Sequence, residues 1–425
     1  MTIKKRLNAA VIVACLGSLP SLAFSASNAE LEAQVKQLQR DLAEMKALMR
    51  DIKTSQVTKK EVAVMKKQVE SVKKTQLEEK NAASQVHLAG YAQFNYTAND
   101  RTYYDDGVKK KKYNEFSNST FSPIFHYQYK DLLMFESEMS MTINELGETD
   151  TEVEYMTADL LINDNMTFLV GKFLSPIGQF RQNIHPGWIN KLPTAPSGFG
   201  HDQAAPIANV GAQLRGGFYL ADTQFNYATY VGNGPKLGGS HDGGGIAIEA
   251  NGSTSNDNNE LTYGGRIGIL PVDGLEIGLS AATGKAALTY FDTVENIERT
   301  EKNRDYDVLG ADFVYNFKKF QARGEYISQE LGSLRTSEVD PSSNKWSSWY
   351  VQGAYKFSPS KWESVLRYSD YDAPGNLVDQ EQWSLGLNYL FANNIIGKIA
   401  YDFNDGTKNT LSDEDKITLQ MTYGF

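Results

Sequence analysis

The chain holds one cysteine in 425 residues, Cys15, and it lies within the first 25. Everything after it has no thiol, which excludes a disulfide framework, a thiolate nucleophile and cysteine ligation of a metal. Histidine is nearly as scarce: His87, His126, His185, His201 and His241. No HExxH occurs, and the His-Asp pairs at 201–202 and 241–242 lack the spacing of a zinc site, so no metal or cofactor is expected. The segment "GSHDGGG" lacks the Lys-Ser/Thr end of a phosphate loop. A basic excess is missing too: 42 Lys and Arg stand against 52 Asp and Glu, giving a net charge of −10. That balance argues against nucleic acid as a partner. Beyond the first 25 residues no apolar run reaches the ~20 residues of a membrane helix. A closed barrel stays open, because it crosses lipid with strands of about ten residues, each a weak signal.

What is present falls into three parts. Residues 1–25 read as a signal peptide, with Lys4, Lys5 and Arg6 before an apolar run and Ala23-Phe24-Ser25 as the small-residue cleavage site. A second reading takes "IVAC" as a lipoprotein box with Cys15 lipidated. Residues 28–80 contain no Gly, Pro or aromatic, and Leu31, Val35, Leu38, Leu42, Met45, Met49 and Ile52 step 4-3-4-3-4-3. That seam predicts an α-helical coiled-coil segment over 26–80, with a phase break near 53–61 and a linker at 81–84. The number of helical strands is left open.

From Gln85 onward the apolar period is two, which predicts a transmembrane β-barrel over 85–425. Sixteen alternating segments are bounded by turn residues: 85–97, 116–129, 132–143, 153–162, 165–173, 209–220, 223–232, 260–271, 275–285, 306–317, 320–330, 346–357, 361–371, 381–391, 395–404 and 415–425. Short connections alternate with long ones at 98–115, 144–152, 174–208, 233–259, 286–305, 331–345, 372–380 and 405–414. An even strand count with turns on one rim and loops on the other is the plan of an all-β, 16-stranded antiparallel transmembrane barrel. Aromatics near strand ends, Tyr91 and Tyr96, Tyr127 and Tyr129, Trp349 and Phe357, fit the girdles where rings bridge lipid and headgroup.

Such a barrel is too wide for side chains to fill, so its inner face meets water. By alternation that face carries the bases Lys172, Arg215, Arg266, Arg323, Lys356, Arg367 and Lys398. The acids Glu136, Glu138 and Asp159 fall on strands three and four, where few bases are expected beside them. Charges of opposite sign on different arcs would orient charged or dipolar solutes, and arginine adds bidentate recognition of carboxylate or phosphate. The bland alternative is that these charges solvate the lumen and pair with one another. The segment 174–208 is rich in Pro and aromatics. It either folds inward as a constriction loop, bringing Arg181, His185 and Lys191 to the narrowest point, or caps the outside. A wall hydrolase would need a wall histidine, and only His87 and His126 are placed for that role.

This organisation resembles bacterial outer-membrane porins, in particular the phosphate-selective porin O/P group and the DcaP-like trimeric porins. The likeness rests on the heptad helix before the barrel, on "LVGKFLSPIGQF" at 169–180 and on "VGAQLRGGFYL" at 210–220. Tyr423 and the terminal Phe425 resemble the assembly signal that such porins present to the barrel-assembly machinery. The resemblance implies a homotrimer in the outer membrane of a Gram-negative bacterium, in contact with lipid and lipopolysaccharide, with the helix in the periplasm. It implies passive diffusion of small hydrophilic solutes with a weak anion preference, and no enzyme. Segment 174–208 lacks the dense lysine cluster of the phosphate-selective pattern, so an organic anion is as good an expectation as phosphate. Two other readings stand beside it: a tether with a plugged barrel, and a barrel-wall lipid hydrolase.

Overall fold

The computed structural model describes residues 84–425 apart from 106–107, 145, 240–245, 257, 293–296, 337–341, 375–377 and 408–410. The signal-peptide and coiled-coil expectations lie outside the described residues. By internal contacts the chain divides into units 1–88 and 89–425, and of the first only the opening residues of one strand are described.

Eighteen strands follow in chain order: β1 Ser84–Asp105, β2 Val108–Tyr129, β3 Leu133–Ile143, β4 Thr149–Asn163, β5 Met166–Leu174, β6 Ala208–Leu220, β7 Thr223–Asn233, β8 Lys236–Gly239, β9 Ile246–Glu249, β10 Leu261–Val272, β11 Leu275–Asp292, β12 Ile297–Phe317, β13 Phe320–Leu331, β14 Asn344–Lys356, β15 Trp362–Asp372, β16 Gln380–Ala392, β17 Ile395–Gly406 and β18 Lys416–Gly424. Each long strand pairs antiparallel with the next, β7 pairs with β10, and β1 pairs with both β2 and β18. The ring is therefore closed by sixteen strands, as the alternation predicts. The remaining two, β8 and β9, form a small hairpin within 233–259.

The seam is finished by Gly90 and Phe425. Phe425 N–H donates to the Gly90 carbonyl at 2.9 Å and Gly90 N–H to the Phe425 carbonyl at 3.0 Å. A Cβ at Gly90 would stand 2.5 Å from the Ser122 carbonyl oxygen and 2.8 Å from the Phe425 ring. Glycine there lets three strands and an aromatic ring meet.

Two expected loops are strands. Apart from 106–107 and 293–296, the connections 98–115 and 286–305 are instead the extended ends of β1–β2 and β11–β12. The first of them, "DRTYYDDGVKKKKYNE", is mostly polar at successive positions, which leaves no alternation to read. The expected linker residue Ser84 already belongs to β1.

The outward face is apolar as read. On β16, Trp383, Leu385 and Leu387 are exposed while Gln382, Ser384 and Asn388 are buried inside; on β18, Ile417, Leu419, Met421 and Tyr423 alternate with buried Thr418, Gln420 and Thr422. Tyr91 departs from its girdle assignment: it is buried and its hydroxyl donates to Glu138. Among the described residues no helix is long and apolar enough to cross a membrane. Replacing a mid-strand outward residue by a charge should therefore be costly. Leu385→Arg is expected to lose about 2–4 kcal/mol in denaturant unfolding from lipid vesicles. No loss would overturn the lipid-facing assignment.

Candidate functional site

Segment 174–208 runs into the barrel. Ser175 N–H bonds the Ile207 carbonyl at 2.9 Å, so the segment leaves and returns at one place. Its Ile177, Phe180, Ile184 and Phe199 are buried among inward side chains of the wall, including Leu169, Phe173, Tyr230, Tyr306, Ile327, Trp346 and Tyr350. Phe180 and Phe199 meet the Tyr350 ring edge-on at 6.4 and 5.1 Å between centroids. Leu192 packs separately on Ala354, Val365 and Ala400. The Pro- and aromatic-rich composition thus gives a packed element, and the inner wall carries an apolar patch to receive it. Apolar burial of this kind favours docking without fixing its orientation.

Polar bonds fix the orientation, and most of them come from one side. Glu325 on β13 accepts the backbone N–H groups of Gln179 at 3.2 Å and Phe180 at 3.0 Å, and Ser280 on β11 accepts that of Gly178. Gly178 has φ +71°, and a Cβ there would sit 1.6 Å from the Glu325 carboxylate, so only glycine fits. Ser348 donates to the Ser197 carbonyl at 2.6 Å. Arg367 on β15 donates to the carbonyls of Thr194 at 2.9 Å and Ala195 at 3.0 Å, and Lys398 on β17 to those of Gly187 and Asn190. Lys191 reaches back to Glu363. Arg181 braces the segment on itself, donating to the Phe199 carbonyl at 2.6 Å. Burial pushes the Arg181 pKa down to about 10 while Glu154, Glu152 and Glu325 oppose the shift, so it remains a cation at neutral pH.

A cavity of about 250 Å³ lies between β2–β6 and the segment, lined among others by Glu136, Glu138, Tyr155, Gln213 and Arg215 from the wall and by Gln182, Asn183 and His185 from the segment. His185 ends the single π-helical turn Phe180–Ile184, its N–H bonding the Phe180 carbonyl. Its Nε2 stands 3.7 Å from Glu138. Arg215 is 2.6 Å from Asp159 and 3.9 Å from Glu136, and His126 is 2.9 Å from Glu136.

The sequence profile of the family described as phosphate-selective porin O and P matches residues 132–425. The chain belongs to this family. It is a porin of the Gram-negative outer membrane, a channel for small solutes. The fold is that of solved porins at low sequence identity. The anion-selective porin from Comamonas acidovorans superposes with TM-score 0.53 at 13% identity, over 81% of this chain and 100% of that one. The outer membrane channel DcaP of Acinetobacter baumannii gives 0.53 at 11%, over 81% and 98%. Salmonella typhi OmpF in complex with daunomycin gives 0.53 at 14%, over 82% and 99%. No curated protein matches the chain in sequence.

Within this porin the inward charges are paired more fully than their order in the sequence suggests. The acids Glu136 and Asp159 do have a base beside them, because Arg215 on β6 reaches across β5 to both. Arg266 is held by Asp312 at 2.6 Å and Glu276 at 2.9 Å. Arg323 donates to the Gln352 side-chain oxygen at 3.0 and 2.7 Å once that amide is turned to accept. Lys356 lies exposed at the short-turn end of β14. Lys172 is not on the inner face: the register sets it opposite Met156 and Val210, in line with exposed Phe168 and Val170. β5 is apolar on both faces, since Leu169 and Phe173 pack on the segment, and alternation could not orient it. Of the three constriction residues only His185 borders the cavity; Arg181 and Lys191 hold the segment. Glu325 as the segment's anchor and Gln213 as a cavity residue carried no sequence signal beyond parity. His126 and His87 have no serine hydroxyl among their hydrogen bonds in the described residues, their partners being Glu136 and Gln85.

Glu325→Ala would strand two buried N–H groups, at about 1–3 kcal/mol each. Together with Arg367→Ala it is expected to loosen the segment, raising single-channel conductance and exposing 174–208 to protease. Unchanged conductance and cleavage would remove the bracing role.

Proposed function

We propose that the channel passes small hydrophilic solutes by passive diffusion through the gap between segment 174–208 and the β2–β6 wall, with a weak anion preference and no catalytic step. What supports this reading is the cavity of about 250 Å³ that the docked segment leaves against the β2–β6 wall, lined by Glu136, Glu138 and Arg215. Arg215, with its side chain 41% exposed, is the guanidinium best placed to meet a passing anion. Lys191 is the single lysine of the segment and is engaged by Glu363, which favours an organic anion over phosphate as cargo.

The heptads at 28–80 support a periplasmic coiled coil that joins subunits, and a trimer form is described for the Vibrio cholerae outer membrane protein OmpT, which shares the fold at TM-score 0.51 and 13% identity. In this reading the short-turn rim faces the periplasm and the outer leaflet lipopolysaccharide surrounds the other. Tyr423 and Phe425 face outward at the seam, in reach of the assembly machinery.

Reversal potentials across a planar bilayer in a salt gradient test the preference. A modest anion-selective value should move toward cations in Arg215→Ala. A cation-selective value, unchanged in Arg215→Ala and Arg266→Ala, would overturn the proposal. Deleting Phe425 should lower the amount assembled in the outer membrane severalfold and leave the conductance of each channel near normal. The reverse pattern would remove its role as an assembly signal.

A further inference from the structure

The cavity beside His185 is chemically unfinished. Gln213 on β6 lines it and is 1% exposed, yet neither its amide oxygen nor its amide nitrogen has a hydrogen-bond partner. Asp159 Oδ1 and His185 Nε2 are likewise buried without one. Buried amides and carboxylates are normally paired, so such a group marks a place where something else belongs.

The surrounding charges say what kind of group fits. Glu136 and Glu138 lie two residues apart on one face of β3, about 7 Å along the strand. Both line the cavity, as does Arg215 across β5, whose Nη2 is 3.9 Å from Glu136. Glu138 accepts from the Tyr91 hydroxyl at 2.9 Å and is 1% exposed, so its carboxylate is already desolvated and held. Carboxylates can only accept and guanidinium can only donate, while the Gln213 amide does both. A simple anion would answer Arg215 and meet repulsion from Glu136 and Glu138. A simple cation would answer the carboxylates, leave the Gln213 nitrogen unmet and make no use of Arg215, which Asp159 holds at 2.6 Å while its side chain stays 41% exposed.

We propose that this cavity is a binding station for small dipolar amines: solutes with an ammonium at one end, taken by Glu138, Glu136 and the Gln213 oxygen, and a carboxylate at the other, taken by Arg215 and the Gln213 nitrogen. The station rests on the channel reading above and names a solute class within it. Opposite charges set on one wall lower the cost of carrying a molecule that is neutral overall but strongly hydrated.

The test uses the full-length protein in two measurements, with γ-aminobutyrate as probe and butyrate, butylammonium and inorganic phosphate as one-charge-sign controls. In planar bilayers γ-aminobutyrate should produce saturable block and excess noise in the potassium chloride current. In detergent solution it should bind by ligand-observed magnetic resonance, a readout that needs no channel. Both effects should weaken about tenfold, 1.4 kcal/mol, in Glu138→Gln and in Gln213→Leu. Glu138→Gln keeps the acceptor for Tyr91, so loss of folding would not account for its effect. Equal effects from all four probes, stronger effects from butylammonium or phosphate, or no response to either substitution would overturn the proposal. Binding in detergent without current steps would instead sink the channel reading and leave the station standing.

Discussion

Backbone satisfaction in lipid is the constraint on which the rest depends. Inside a bilayer an unpaired N–H or carbonyl finds no water, so a sheet must close on itself or not cross at all. Here closure comes down to β1 against β18, completed by the reciprocal bonds between Gly90 and Phe425. Once sixteen strands are joined, the inner face is enclosed and the outer face has only lipid to meet. The alternation of Trp383, Leu385 and Leu387 with Gln382, Ser384 and Asn388 follows from that geometry.

A ring of this width cannot be filled by its own side chains. The filling is a piece of the same chain, and it docks by two chemistries with separate tasks. Apolar residues such as Phe180, Phe199 and Leu192 give the affinity for the wall. Glu325, Arg367 and Lys398 give the register, each bonding backbone groups of the segment. Arg367 and Lys398 therefore act as structural donors to carbonyl oxygens. A census of inward charges overstates how much of them a solute can feel, because pairing removes Arg266, Arg367 and Lys398 from the open path.

The barrel was legible because lipid imposes a period of two on one face for most of each strand. Elsewhere the signal fades: the ends of β1–β2 read as a loop because polar residues fall at successive positions, and the hairpin β8–β9 lies in a glycine-rich stretch. Alternation fails at Lys172 because β5 is apolar on both sides, with Leu169 and Phe173 on the segment and Phe168 and Val170 exposed. The site was legible in part. Pro and aromatic content marked 174–208 as packed, and parity placed Arg215, Glu136, Glu138 and Asp159 correctly. Which acid meets which base depends on the neighbour order of strands and on reach across them, and one-dimensional spacing does not carry that.

Anchor and cavity are linked through a single turn of chain. Glu325 fixes the N–H groups at the start of the turn Phe180–Ile184, and His185 at its end stands 3.7 Å from Glu138. The His185 ring is further tied by Nδ1 to the Arg181 carbonyl at 2.5 Å, and Arg181 to Phe199. A five-residue turn bonded at both ends has little freedom to flex within itself. The wall that holds the segment therefore also sets the width of the gap on the far side. Charge at the anchoring wall and charge at the cavity are under different demands: the first must match a fixed backbone, the second a passing solute. That separation is why the buried acid Glu325 can serve two backbone N–H groups of the segment while Glu136 and Arg215, across the lumen, remain partly open to water.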